Sequence, residues 1–222
     1  MKRFDLGATF FREAYEKVNP ELVLGPNAHQ EDKLLTRLGF SHYDVFFHPT
    51  SPAGQAWSAS AEVVWQESDP LPFLLMRASW SRYLPISERR MLAWRVIAGF
   101  SSNRATPFAP FVVDSRLNIR GAGNRVDRGT GAVILNFEYR QLLLERTHWA
   151  LQGVGFADIG TWRSPGGPLE QLVEADGFKY FMGLGGRIFL GQYRQFSLRL
   201  DYGWGVQPIG RRGVVFGLGQ YF

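Results

Sequence analysis

Apolar and polar residues alternate with a period of two along most of the chain. In the segment 195–206, apolar residues from Phe196 to Trp204 take one set of alternate positions, and serine, arginine, aspartate and glycine take the other. Successive side chains of a strand point to opposite faces, so this period predicts a β-strand with one apolar side. The pattern predicts ten strands, at about 3–15, 33–47, 56–66, 73–84, 91–102, 132–144, 149–161, 178–190, 195–206 and 213–222.

The connections between these segments alternate in length. Short links such as "PISERR" and "LERTH" are interleaved with longer ones at about 16–32, 103–131 and 162–177. Outer-membrane barrels have short turns at one end and longer loops at the other. The sequence therefore predicts an all-β fold, an antiparallel transmembrane β-barrel of about ten strands, with 1–222 as its single domain. A soluble β-sandwich with an aromatic core is the competing interpretation.

Tryptophan placement favours the membrane barrel. Trp57 and Trp65 share one face of a strand and lie eight residues apart, which is roughly 26 Å along the strand. A tilted strand of that length spans an apolar band of about 25 Å, the height that aromatic girdles bracket in membrane barrels. The predicted girdle consists of Trp57, Trp65, Trp80, Trp94, Trp149 and Trp204.

The segment 132–144 carries charge on its second face. Val133, Leu135, Phe137 and Tyr139 alternate with Asn136, Glu138 and Arg140. If the apolar set faces lipid, the polar set faces the barrel interior. A charged interior is typical of a wide barrel or one that holds an inserted loop, since small soluble barrels fill with apolar side chains.

Composition removes several classes of site. The chain has no cysteine, and its four histidines (His29, His42, His48 and His148) are scattered, so we expect neither a metal nor a cofactor. The net charge of +5 is spread along the chain, and we expect no nucleic-acid partner.

The start "MKRFDLGATF" lacks the apolar region of a signal peptide. We expect the signal of an exported protein to be absent from this chain.

Three short motifs then occur in order: "LNIRGAG" at 117–123, "NFEYR" at 136–140 and "FADIG" at 156–160. They resemble motifs of the BamA/TamA-type superfamily of outer-membrane assembly factors and two-partner-secretion transporters, also called bacterial surface-antigen barrels. In that family the Arg-Gly motif lies at the tip of a long extracellular loop folded into the barrel. Ala122 stands where the family usually has an aromatic residue.

The resemblance implies a cell outer membrane location in a Gram-negative bacterium. It implies contact with outer-membrane lipid and lipopolysaccharide, and with client polypeptides or accessory subunits. The family's barrel has sixteen strands and usually carries periplasmic POTRA modules, whereas the sequence predicts ten strands and no POTRA module. A reduced member, a fragment, and a subunit completed by another chain all fit this difference.

The resemblance also implies a specific ion pair. Loop 103–131 is expected to fold inward and place Arg120, which precedes Gly121, against Asp158, with Glu138 and Arg140 on the neighbouring strand. A guanidinium group offers a planar fork of donors that a carboxylate accepts at two points. The alternative is an ordinary solvated loop arginine.

The end of the chain carries a second candidate feature. "VVFGLGQYF" places Phe216, Leu218 and Phe222 on one face, with Gly217 between, and resembles the terminal-strand signal of barrel clients. An apolar terminal strand without a signalling role is the alternative. The glycines also suggest a weak seam between residues 2–12 and 213–222, because glycine weakens strand pairing.

These features favour insertion or translocation of proteins or lipids at the outer membrane. A passive channel for small solutes is the alternative function, because the same polar interior would serve it. An enzyme is not expected, since the chain has no G-x-S-x-G elbow and its histidines have no evident serine and carboxylate partners.

Overall fold

The computed structural model describes residues 1–16, 28–48, 50–67, 69–103, 110–113, 118–122, 127–191, 196–206 and 210–222. Within these ranges the chain forms two short 3-10 turns, Leu169–Leu172 and Ala175–Gly177, and twelve strands. The strands are β1 (Lys2–Glu16), β2 (Ala28–Phe46), β3 (Ala53–Gln66), β4 (Asp69–Ser87), β5 (Arg90–Ser101), β6 (Phe111–Val113), β7 (Asp127–Gly129), β8 (Gly131–Glu145), β9 (Trp149–Arg163), β10 (Lys179–Leu190), β11 (Phe196–Gly205) and β12 (Arg212–Leu218).

Ten of the strands form one antiparallel sheet in chain order. The prediction of an all-β fold with ten strands is therefore confirmed. The short strands β6 and β7 pair with each other outside this sheet, and β5 pairs directly with β8. The segment between β5 and β8 is thus an insertion in the sequence between two strands that pair directly, and we call it the inserted segment. No helix within the described ranges is long and apolar enough to cross a membrane.

The sheet is open, with β1 at one edge and β12 at the other. Among the described residues these two edge strands do not pair. β1 instead pairs along its whole length with β2, from Lys2 opposite His42 to Glu16 opposite Ala28. That extended register explains why β2 begins at Ala28, ahead of the predicted start at 33.

The predicted terminal strand is wrong at its C-terminal end. β12 ends at Leu218, and Gly219 adopts a φ of +80°, a conformation that glycine tolerates and other residues rarely adopt. The Gly219 N–H still donates to the Ser197 carbonyl at 2.8 Å, after which the chain leaves the sheet. Phe222 therefore does not share a face with Phe216 and Leu218.

The sheet curves strongly. Gln152 on β9 donates its side-chain amide to the carbonyl of Thr50, just before β3, at 2.8 Å. β3 and β9 are four strand spacings apart, which is roughly 19 Å in a flat sheet. A direct hydrogen bond across that interval requires the sheet to curl, so the face that carries these groups is concave.

The two faces of the sheet have inverted polarity. On β8, Asn136, Glu138 and Arg140 are completely buried, whereas Leu135 and Phe137 are 37% and 39% exposed. The same inversion extends to Leu184, Leu200 and Phe216, which are all exposed. We call the concave side the polar face and the convex side the apolar face. A water-soluble sheet would bury the apolar side, because that burial drives folding in water.

Candidate functional site

A short piece of the inserted segment, residues 118–122, lies against the polar face. Ile119 and Ala122 are buried in an apolar cluster with Ile134 of β8 and Phe181 of β10. Ile119 fits against Gly160 of β9, where any Cβ would collide with its terminal methyl group. The Asn118 carbonyl accepts a hydrogen bond from Asn136 at 2.7 Å. These contacts fix the position of the next residue, Arg120.

Gly121 allows the segment to touch the sheet. It has a φ of +88°, and a Cβ placed on it would lie 2.6 Å from the carbonyl carbon of Gly203 on β11. A Cβ on Gly203 would lie 2.9 Å from the carbonyl carbon of Arg120. Both positions need glycine, because backbone meets backbone there with no room for a side chain.

Arg120 is completely buried and forms a fork with Asp158 of β9. Its Nε donates to Asp158 Oδ2 at 2.9 Å, and its Nη2 donates to Oδ1 at 2.8 Å. The backbone N–H of Arg120 adds a third bond to Oδ2 at 2.8 Å. The contact expected from the sequence is present, with the bidentate geometry that distinguishes arginine from lysine.

Glu138 joins Arg120 to a second arginine. Its Oε1 accepts from Arg120 Nη1, and its Oε2 accepts from Arg140 Nε at 2.6 Å. Arg187 Nη2 lies 3.5 Å from the same Oε1. The predicted set of Arg120, Glu138, Arg140 and Asp158 is therefore brought together in one buried cluster.

Two further charged residues of the buried cluster, Arg187 and Asp201, come from β10 and β11. Arg187 donates to both oxygens of Asp201, at 2.5 Å and 3.1 Å, and Asp201 Oδ2 lies 3.7 Å from Arg120 Nη1. The alternation of apolar and polar residues in 178–190 and 195–206 places both residues opposite the apolar side of their strands, but spacing alone does not identify them as partners of Arg120. The register opposes Asp201 to Gly185, which leaves room for its carboxylate.

The guanidinium group of Arg120 lies between two aromatic rings. Its Cζ is 3.7 Å from the centroid of the Phe156 ring and 4.1 Å from that of Tyr221. Burial lowers the pKa of Arg120, but the Glu138 and Asp158 carboxylates more than offset this, so the pKa is raised overall. Burial also raises the pKa of Tyr221, whose hydroxyl group has no hydrogen-bond partner within the part of the chain that the structure describes.

Phe222 belongs to this cluster and not to the apolar face. Its carbonyl accepts from Arg140 Nη2 at 3.1 Å, and its ring lies 6.4 Å from that of Tyr83 on β4. Phe216 and Leu218, by contrast, are exposed on the apolar face. Gly217 faces the polar side, where a Cβ would lie 2.8 Å from Arg199 Nε. The proposed terminal-strand signal is thus divided between the two faces, and its role stays a prediction.

The predicted girdle tryptophans lie toward the two ends of the apolar face. Trp57 and Trp80 are direct cross-strand neighbours, and the Trp80 ring packs edge-on against Trp94 at 6.1 Å. These three and Trp149 lie toward one end of the strands, while Trp65 and Trp204 lie toward the other. All but Trp94 are among the exposed large apolar side chains. That distribution is the one that interfacial aromatic rings adopt in membrane barrels.

Sequence reasoning did not identify the glycines that receive the inserted segment. Gly99, Gly160 and Gly203 occupy polar-face positions at which a Cβ would collide with Phe111, Ile119 and Arg120 respectively. The available signal is a glycine in place of a polar residue within an otherwise regular alternation. Such a gap marks a place where another backbone or side chain approaches closely.

The chain matches no protein-family model, and a comparison with the curated proteins finds no match either. The candidate site is therefore judged by its own geometry. Three carboxylates and at least three arginines are buried together on a concave sheet face, with an inserted segment held at their centre. Such an arrangement can fix a loop in place and can couple its release to the state of the surrounding strands.

Proposed function

We propose that this chain forms part of an outer-membrane β-barrel of the assembly-factor type, which acts in the insertion or translocation of proteins or lipids without being an enzyme. The observation that carries the proposal is the fork between Arg120 and Asp158, buried on the polar face of a sheet whose apolar face is exposed. The apolar face would contact outer-membrane lipid. Client polypeptides and accessory subunits are the partners that the proposal implies.

A membrane location is supported by the inverted faces. An extensive exposed apolar surface marks a contact with lipid or with another protein. Alternation of lipid-facing and interior-facing residues is the pattern of transmembrane barrel strands. The tryptophans toward both ends of the apolar face add the interfacial anchors that such strands carry.

Closure of the barrel is part of the proposal. The edges β1 and β12 carry backbone N–H and C=O groups that hydrocarbon cannot satisfy, so a membrane-inserted sheet must pair them. They could pair with each other, with another copy of the chain, or with further strands. A seam between weakly paired edges could then accept an incoming client strand by strand addition.

Cysteine cross-linking tests how the edges are used, because the chain has no native cysteine. Single cysteines between Leu6 and Phe10 on β1 are combined with single cysteines at Val214 or Phe216 on β12. A disulfide within one chain places the seam between these strands, and a disulfide between chains places it between copies. Absence of both products shows that other strands intervene.

Activity is then measured as the rate at which an unfolded barrel client inserts into liposomes that contain the protein. We expect acceleration that is lost on oxidation of a cross-linked variant and restored by reductant. Full activity of the locked variant excludes seam opening as the mechanism. Absence of any acceleration overturns the proposed function.

A passive channel remains the second candidate, favoured by the open part of the polar face on β2–β5, where Arg37 and Arg77 are exposed. Single-channel recordings separate the two functions. A steady, selective conductance supports the channel, whereas small unstable currents support the assembly factor.

A further inference from the structure

A polar pocket lies on the concave face beside the Arg120 cluster, and Arg95 adjoins both, since it lines the pocket and its Cζ is 5.3 Å from the centroid of the Tyr221 ring. It has a volume of about 460 Å³ and is lined by residues of β1 to β5. Cavities of roughly 300–1,000 Å³ are the usual size for small-molecule sites. Its lining includes Arg37, Ser58, Ser60 and Arg77 from the polar face, and it also touches Phe40 and Ala59 at apolar-face positions.

The floor of the pocket is made of small hydroxyl-bearing residues. Ser41, Ser58 and Ser79 are consecutive cross-strand neighbours in one row. Ser60 lies in the next row, between Gly39 on β2 and Arg77 on β4. Small side chains in adjacent rows leave the space open above the sheet. Their hydroxyl groups both donate and accept hydrogen bonds, as Ser58 and Ser79 do with each other at 2.9 Å.

Arginines stand at the perimeter of this floor. Arg37 on β2 and Arg77 on β4 have backbones roughly 12 Å apart by strand geometry, with Ser60 and Glu62 of β3 between them. Both side chains are exposed, and each is long enough to lean over the serine. Arg77 also stacks near Phe111, with its Cζ 5.4 Å from the ring centroid.

These two guanidinium groups keep donors for a ligand. Arg37 approaches Glu62 only to 3.6 Å, and Arg77 approaches the Pro110 carbonyl only to 3.5 Å. Each guanidinium has five N–H donors, so the single long polar contact that each makes with the described residues leaves most of them available. Two carboxylates lie nearby, since Asp5 is paired with Arg3 at 2.5 Å and the buried Glu62 lies beside Arg37. Arg3, Arg37, Arg77 and Arg95 stand against these two, so the surroundings of the pocket carry an excess of positive charge.

We infer that this pocket binds a soluble phosphate monoester of a hydroxylated molecule, such as a sugar phosphate. Arg37 and Arg77 bind the phosphate above Ser60, since guanidinium groups match phosphate oxygens in geometry and charge. The serine row binds the hydroxyl groups of the remainder. A soluble ligand fits better than a lipid head group, because the pocket opens on the polar face, opposite the apolar one.

Calorimetric titration of the full chain in detergent micelles tests the inference. Glucose 6-phosphate serves as the probe, with glucose and inorganic phosphate as comparisons. We expect saturable binding of glucose 6-phosphate that is at least about tenfold tighter than that of either comparison, because only this ligand uses both parts of the pocket. It should weaken as salt is added, since screening acts on these exposed arginines.

Three variants assign the binding to the pocket. Arg77→Gln should weaken glucose 6-phosphate binding about tenfold or more, because a charge-assisted hydrogen bond is lost. Ser60→Leu should abolish it by filling the floor without changing charge. Arg82→Gln is the matched control, since Arg82 lies on the same strand but at an apolar-face position. The affinity of this variant for glucose 6-phosphate should equal that of the unaltered chain.

Four outcomes overturn the inference. These are the absence of saturable binding, equal affinity for glucose and glucose 6-phosphate, unchanged affinity in both Arg77→Gln and Ser60→Leu, and tighter binding of short-chain phosphatidic acid below its micelle concentration. These titrations do not measure client insertion, so a failure of the pocket inference can be distinguished from a failure of the proposed function.

Discussion

Gly121 and Gly203 meet backbone to backbone, where the inserted segment crosses β11. A Cβ on Gly121 would lie 2.6 Å from the Gly203 carbonyl carbon, and a Cβ on Gly203 would lie 2.9 Å from that of Arg120. The side-chain network of Arg120 therefore depends on a contact in which neither residue contributes a side chain. Close backbone approach is a function that only glycine performs at such a site.

Gly203→Ala should release the segment without altering any charged group. We expect a loss of stability of about 1–3 kcal/mol, the usual cost of overpacking. Gly186→Ala is the control, because a Cβ on Gly186 of β10 meets no atom within 4 Å. Unfolding by guanidinium chloride in detergent measures the stability of both variants. Equal losses in the two variants would show that the contact at Gly203 has no special importance.

Arg120→Lys should be almost as damaging as Arg120→Ala. Lysine retains the charge but cannot form the two-point contact with Asp158, and removal of one partner from a buried ion pair costs about 3–5 kcal/mol. The matched control is Arg12→Lys, because Arg12 also pairs with an aspartate, Asp32, but in an exposed position. Because solvent screens that exposed pair, Arg12→Lys should leave stability nearly unchanged. Full stability of Arg120→Lys would contradict the importance of the fork.

Tyr221→Phe should leave stability unchanged or raise it by up to about 1 kcal/mol. The buried hydroxyl group has no hydrogen-bond partner among the described residues, so its removal ends an uncompensated desolvation cost. The ring, which covers Arg120, is kept. Tyr221→Ala should instead lose about 3–5 kcal/mol through the cavity that it creates. A marked loss in Tyr221→Phe would reveal a hydrogen bond to that hydroxyl group.

Tyr221 also predicts a pH dependence in the alkaline range. Because burial raises its pKa in the folded chain, folding favours the neutral phenol. The free energy of unfolding does not change with the titration of this group below the unfolded pKa of about 10, and it declines as the pH rises above that value. The decline should be smaller in Tyr221→Phe. Unfolding curves at pH 8 to 11 for both chains measure it, and identical pH profiles would contradict the assignment.

The position of Phe222 is testable by chemical cross-linking. Cysteines replacing Tyr83 and Phe222 should be joined by a short bifunctional thiol reagent, since the two ring centroids lie 6.4 Å apart on the polar face. Cysteines replacing Tyr83 and Phe216 form the control pair and should not be joined, because Phe216 is exposed on the apolar face. Mass spectrometry of the two treated variants measures the yield of each cross-link. A yield for the Tyr83 and Phe222 pair no higher than that of the control pair would contradict the position of Phe222.

The period-two pattern predicted the ten strands and their faces because alternation is a local property of each segment. It also placed Asp158 and Glu138 on the correct face for Arg120. The departure of the chain from β12 at Gly219 was not predictable in this way, since Gln220, Tyr221 and Phe222 continue a plausible strand. Their destination is set by tertiary contacts with Arg199, Arg95 and Arg140. Such contacts leave no periodic trace in the sequence.

The Arg120 cluster has a consequence for the order of folding. Its members come from β8, β9, β10, β11 and the residues after β12, so the binding site for the guanidinium group is incomplete until nearly the whole C-terminal half has paired. Contacts between residues distant in sequence form late, because the intervening chain must first be ordered. An arginine that reached this face before its carboxylates were assembled would lose its hydration without compensation. Docking of residues 118–122 is therefore expected as the last step, and burial of Arg120 would report that the sheet is complete.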